Sequence, residues 1–184
     1  MYLLRHGQSL FNLHYSATKR DPGIADPELT PLGHEQAARA AAKLADKAIK
    51  RVIISPYTRA LQTAAAVLQV HKVPVEIMTG VRERFAFSCD IGRPPHELAA
   101  SFPEHEFGHL PDKWWPDSHE TEAATIARAR LFREEMQRRD DAHDTLLVSH
   151  WAFILALTGV SAANGEIVEY DLVAPVAEEI VWRP

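Results

Sequence analysis

The residues of this 184-residue chain with the greatest chemical potential are Arg5, His6, Arg59, Glu83 and His150. A guanidinium is a permanently charged fork of donors that suits the oxygens of a phosphoryl group. A neutral imidazole can attack phosphorus and hold the group covalently. A protonated carboxylic acid can hand its proton to a departing alkoxide. Phosphoryl transfer asks for little else, because its catalysis is chiefly positioning and stabilisation of charge on the equatorial oxygens. Each residue also has a bland use. Arg5-His6-Gly7 could be a turn that exploits a permissive glycine. His150 could be a hydrogen-bonded core histidine, and Glu83 one side of a surface ion pair in Arg82-Glu83-Arg84. For Arg59 the bland use is weaker, since a cation on the first turn of a helix is mildly unfavourable and a bound anion would relieve that cost.

Residues as distant as 6 and 150 need a scaffold that brings them together, and the hydrophobic pattern supplies one. Short apolar runs at residues 2–4, 52–54, 75–78 and 145–148 alternate with segments of helical period. Thr30 is placed to cap a helix that has Pro31 at its first position, with Leu32, Ala37, Ala41, Leu44 and Ala45 as its apolar stripe. A second helix is expected over 58–70, striped by Leu61, Ala64, Ala65 and Leu68. Others are expected at 96–101, at 120–138 with Asp117 or Ser118 as cap, and at 152–158, where Gly159 stops it. Residues 167–170 and 180–182 read as final strands. The whole predicts an α/β three-layer sandwich, a mainly parallel mixed sheet covered by helices on both faces. Ligands of such sheets bind beyond the carboxyl ends of the strands, which is where Arg5, His6, Arg59, Glu83 and His150 fall.

These blocks, in this order, resemble the histidine phosphatase superfamily, the group that includes cofactor-dependent phosphoglycerate mutases and many small phosphatases. The resemblance rests on Arg5-His6-Gly7-Gln8-Ser9 with Asn12, then Leu29-Thr30-Pro31-Leu32-Gly33. It continues through Ser55-Pro56-Tyr57-Thr58-Arg59-Ala60 with Gln62-Thr63-Ala64, then Glu83-Arg84 and Ser149-His150. It implies that His6 is the nucleophile, that Arg5, Arg59 and His150 bind the phosphoryl oxygens, and that Asn12 adds a neutral donor. Glu83 would be the general acid and then the base for water, with Arg84 as a substrate contact. No cofactor or metal is implied. Two departures bear on substrate. Where the family usually has glycine after the second histidine, this chain has Trp151, which would shape the pocket. Where the mutases carry basic residues to hold a carboxylate, it reads Phe85-Ala86-Phe87-Ser88-Cys89-Asp90-Ile91-Gly92. The second departure favours a phosphatase acting on a small-molecule phosphate ester, with a phosphoglycerate or phosphosugar mutase, or a non-catalytic phosphate-binding domain, as the alternatives.

Composition narrows the field further. Apolar residues make up 46% and charged residues 24%, ordinary for one globular domain over 1–184. The net charge of −5 and the lack of a basic face argue against nucleic acid as partner. No apolar stretch is long enough to span a membrane, and no signal peptide is evident. With a single cysteine, Cys89, no internal disulfide can form, and the cytoplasm is the expected setting. Residues 85–117 hold Pro94, Pro95, Pro103, Pro111 and Pro116 among several aromatics, and read as an ordered loop or cap over the site. Within them His105-Glu106-Phe107-Gly108-His109 fits a zinc-protease pattern, but that pattern needs a helix, and Pro103, Gly108 and Pro111 speak against one.

Overall fold

The computed structural model describes residues 1–173 and 180–182. Its sheet contains β1 (Tyr2–Arg5), β2 (Arg51–Ile54), β3 (Val75–Ile77), β4 (Thr145–Ser149) and β5 (Ile167–Glu169), in the order β3-β2-β4-β1-β5. The first four run parallel, and β5 is antiparallel to β1. Strand alternation divides the core in two. Leu4, Val52, Ile54, Leu146 and Val148 face α2 (Pro31–Leu44) and α3 (Thr58–Val70). Leu3, Ile53 and Leu147 face α5 (Glu122–Gln137) and α6 (Trp151–Thr158). This is the expected three-layer arrangement, with both faces of a mostly parallel sheet covered.

Local chemistry sets the helix ends. Thr30 Oγ1 accepts from Gly33 N at 3.0 Å, and Pro31 occupies the first turn of α2, where its missing N–H costs nothing. Gly159, with φ 75°, ends α6 in the left-handed conformation. The cap of α5 is neither Asp117 nor Ser118. It is Thr121, whose hydroxyl accepts from Ala124 N at 3.2 Å, because the chain before it is still engaged elsewhere: Glu120 N donates to Phe85 O. One helix has no counterpart in the sequence reading, α1 (Leu10–Thr18). Residues 180–182 form no strand. Trp182 instead packs edge-on against Trp151, with ring centroids 6.2 Å apart.

Residues 85–117 divide physically. Leu98, on the short helix α4 (Pro95–Ser101), and Phe107, Leu110 and Trp114 are buried in the core beneath α2 and α3. Residues 105–109 form no helix. The Nε2 of His109 donates to Ile77 O at 2.8 Å, covering a carbonyl on the edge strand β3.

Candidate active site

β1 ends at Arg5, and the next residues are fixed by backbone contact with the start of α2. A Cβ on Gly7 would meet Gly33 O at 2.3 Å, and one on Gly33 would meet Gln8 O at 2.1 Å. Both glycines are therefore required by the close approach of two backbones. Gly7 N also donates to Thr63 Oγ1 at 3.1 Å, tying the turn to α3. His6 N donates to Ser149 O at 3.0 Å, so the histidine continues the pairing of β1 with β4.

The His6 ring, only 3% exposed, has its Nδ1 2.7 Å from Gly7 O. A carbonyl oxygen only accepts, so Nδ1 carries the proton and Nε2 keeps its lone pair. Burial, and after it the charges of Arg59 and Arg5, push the His6 pKa well below its ordinary value. The ring is a neutral, oriented nucleophile.

His150 sits at the carboxyl end of β4, with its ring centroid 5.0 Å from that of His6. Its Nε2 is 2.7 Å from Ser55 Oγ, and Tyr57 meets it edge-on. Burial first, then Arg59, His6 and Arg5, push its pKa well below the ordinary value and favour the neutral ring. Arg59, 2% exposed, donates from Nη1 to Cys89 O at 2.7 Å, while its Nη2 lies 3.3 Å from Asp90 Oδ1. Asp26 supports it from below. Its carboxylate accepts from Thr58 N at 2.9 Å and so caps α3 from a distant loop. Arg5 Nη1 donates to Ala162 O at 2.7 Å, whereas Arg5 Nε and His150 Nδ1 are buried with no partner among the described residues. Unpartnered buried polar atoms are uncommon in folded proteins, and two of them beside one histidine mark a place for a polar ligand.

Glu83 Oε1 accepts from Arg84 N at 2.9 Å and from Ala152 N at 3.0 Å, which pins the carboxyl to the first turn of α6. Burial and the Asp90 charge raise its pKa, favouring the protonated acid. Asn12 is the third residue of α1 and closes a capping box with Ser9. Its Oδ1 accepts from Ser9 N at 3.1 Å and from Asn164 Nδ2 at 3.2 Å, which leaves its own amide nitrogen to donate. Arg84 is partly occupied, with Nη1 3.3 Å from Glu122 Oε1 and the guanidinium over Trp182. Trp151 Nε1 donates to Ser161 Oγ at 2.9 Å.

Arg5, His6, Asn12, Arg59, Glu83, Arg84 and Trp151 line one cavity of about 600 Å³, with His150 against its floor. All eight sequence candidates therefore converge. The sequence reading missed Asp90 and Asn164 on this cavity, Ser55 behind His150, and the rings of Phe11 and Tyr15, while Phe87 falls in the segment expected to cap the site. Asp90 had a usable signal, since a carboxylate set in an aromatic stretch needs a buried partner. The other large cavity, about 730 Å³ between β3 and residues 104–111, shares no lining residue with this one.

A family model described as the histidine phosphatase superfamily (branch 1) matches residues 1–166. The chain is 31% identical over 166 residues to a glucosyl-3-phosphoglycerate phosphatase of Mycolicibacterium vanbaalenii, covering 86% of this chain and 72% of that one. It is 28% identical over 151 residues to a 2,3-bisphosphoglycerate-dependent phosphoglycerate mutase of Thermobifida fusca, covering 79% of this chain and 56% of the mutase. The structure of a mycobacterial glucosyl-3-phosphoglycerate phosphatase with VO3 superposes with a TM-score of 0.63 at 23% identity, covering 91% and 88% of the two chains. Entamoeba histolytica phosphoserine phosphatase with 3-phosphoglyceric acid gives 0.59 at 25% identity, covering 90% and 87%. With Arg5 and His6 closing β1, Arg59 opening α3 and His150 closing β4 around a single pocket, this chain belongs to the histidine phosphatase superfamily, branch 1.

Proposed function

We propose that the chain is a phosphatase that hydrolyses a small-molecule phosphomonoester through a phosphohistidine on His6. The observation that carries this reading is the locked tautomer: Nδ1–H is held by Gly7 O, which leaves the Nε2 lone pair free on a ring that feels the charges of Arg59 and Arg5. In the first step Nε2 attacks phosphorus, the P–O bond to the leaving group breaks, and protonated Glu83 gives its proton to the departing oxygen. Arg5, Arg59 and Asn12 donate to the phosphoryl oxygens. If the Ser55 hydroxyl donates to His150 Nε2, the His150 proton sits on Nδ1, the unpartnered atom, ready to donate as well. In the second step Glu83 takes a proton from water, the water oxygen attacks phosphorus, the N–P bond breaks, and inorganic phosphate leaves. Positive charge comes from side chains, so the chemistry needs no metal.

Within one domain over 1–184, residues 86–90 form the rim above this site, and Arg84 and Trp151 face the leaving group. The expected setting is the cytoplasm, with Cys89 reduced. Phosphoglycerate mutase would share the first step, but it must also hold a carboxylate, and residues 85–92 offer no cation for that. The test is His6→Ala, which should abolish turnover of phosphomonoesters together with the acid-labile phosphoenzyme while circular dichroism stays unchanged. Near-normal turnover would show that the nucleophile is elsewhere.

A further inference from the structure

The cavity above His6 is much more aromatic than the chain as a whole. Only 8% of the residues are Phe, Trp or Tyr, yet Phe11, Tyr15, Phe87, Trp151 and Trp182 all line it. They form two groups. Phe11 and Tyr15 lie one turn apart on α1 and stack at 5.3 Å with 13° between their planes. Phe87 completes this wall, its ring 5.4 Å from Phe11 and 5.2 Å from Tyr15. On the other side Trp151 follows His150 directly and meets Trp182 edge-on. Phe87 is 37% exposed and rises from the same stretch as Glu83 and Asp90. A phenylalanine left open at the mouth of a cavity forgoes burial that would favour folding, and a ligand ring can recover it.

The charges point the same way. Arg5 and Arg59 serve the phosphoryl group. Beyond them the lining holds Arg84, whose guanidinium is paired with Glu122, and Lys19, whose ammonium lies 5.7 Å from the Tyr15 ring centroid. Among the described residues each of these two cations already has a neighbour that draws on its charge, Glu122 at Arg84 Nη1 and the Tyr15 ring at Lys19. The neutral polar groups on the lining are Ser9, Asn12, Ser16, Ser161 and Asn164.

We infer that this cavity is built for a leaving group bearing an uncharged flat ring, held between the Phe11–Tyr15–Phe87 wall and Trp151, and not for a phosphoglycerate. The inference rests on the phosphatase reading for the placement of the phosphoryl group at His6. Stacked or edge-to-face rings supply preference without hydrogen-bond readout, so the site would accept several ring alcohols and discriminate against short chains.

The test compares 2-phenylethyl, 2-cyclohexylethyl and n-butyl phosphates, whose leaving oxygens are all primary alkoxides of similar basicity. In the wild type, kcat/KM for the phenylethyl ester should exceed that for the butyl ester by about ten-fold or more, which is about 1.4 kcal/mol. The cyclohexylethyl ester should fall between them, and 3-phosphoglycerate below all three. Phe87→Leu and Tyr15→Leu should each shrink the phenylethyl-to-butyl ratio several-fold. Calorimetric titration of the same esters into His6→Ala measures that preference without turnover. It separates failure of the leaving-group inference from failure of the phosphatase reading. Equal values for all three esters, in turnover or in titration, overturn the ring site. A cyclohexylethyl ester that equals or beats the phenylethyl ester overturns its preference for a flat ring.

Discussion

A neutral His6 in the folded protein has a thermodynamic consequence that can be measured without any substrate. His6 is 3% exposed and His150 is fully buried, and burial with neighbouring cations depresses both pKa values well below the ordinary 6.5. In the unfolded chain both rings take up protons as pH falls through about 6.5, while in the folded state they stay neutral. The unfolded state then binds more protons, so stability is fully present above the unfolded pKa and drains away as pH falls. Each histidine contributes a slope of up to about 1.4 kcal/mol per pH unit, so the pair contributes up to about 2.7 between pH 6 and 5. Glu83, Asp90 and Asp26 have raised pKa values and act in the opposite sense, chiefly nearer the carboxylate range. They are common to wild type and variant and cancel in the comparison. His6→Asn keeps an amide able to donate to Gly7 O while removing the titrating ring. Urea melts at half-unit steps from pH 7.5 to 5 should show a shallower decline for His6→Asn, by up to about 1.4 kcal/mol per unit over the lower half of the range. The absolute stability of the variant is irrelevant, since only the slope is read. Parallel curves would falsify the neutral, buried nucleophile.

Three further outcomes are expected. Glu83→Gln keeps the shape but removes the proton, so in rapid-quench experiments the phosphoenzyme burst from an alkyl phosphate should slow by about 10²–10⁴-fold. The burst from p-nitrophenyl phosphate, whose leaving group departs as a stable anion, should suffer far less, and equal losses on both would remove Glu83 as the donor. Turnover should survive EDTA, because Arg5 and Arg59 supply the charge, and activity that returns only with zinc or magnesium would refute this. Gly33→Ala places a methyl 2.1 Å from Gln8 O, an overlap with backbone that nothing flexible can absorb. Thermal melts should show a loss of about 1–3 kcal/mol, with turnover falling too because Gln8 lies next to Gly7. An alanine variant as stable as wild type would show that the two backbones are not held together.

Much of this arrangement could be read from the residues because several physical signals coincide at each element. β4 is a continuous apolar run bounded by Thr145 and Ser149, and it is buried along its whole length. For α2 the Thr-Pro start and the alanine stripe agree. Helix α1 escaped for a specific reason. Leu10 and Leu13 are exposed, while Phe11 and Tyr15 turn toward the cavity, so its apolar residues do not make the single core-facing stripe that periodicity detects. Its signal was the Ser9-x-x-Asn12 spacing of a capping box. Residues 180–182 have strand composition but pair with no strand among the described residues, and Trp182 is taken up by Trp151 and Arg84. Asp26 could not be linked to α3 from sequence, since it caps Thr58 across a gap of 32 residues.

The strand order constrains how this protein reaches its working form. β4 lies between β1 and β2 and pairs with both, yet it is the last of the parallel strands in the chain. Until residues 145–149 are available, β1 and β2 each present an unpaired edge and cannot join each other in native register. His6 and Arg59, which follow those two strands, therefore have no shared sheet until β4 arrives, only the contact of Gly7 N with Thr63 Oγ1. Its closure joins residues such as Leu3 and Leu147, a separation that makes for slow, cooperative assembly. A chain that stops short of β4 holds unpaired strand edges, the feature that makes partly folded chains prone to associate.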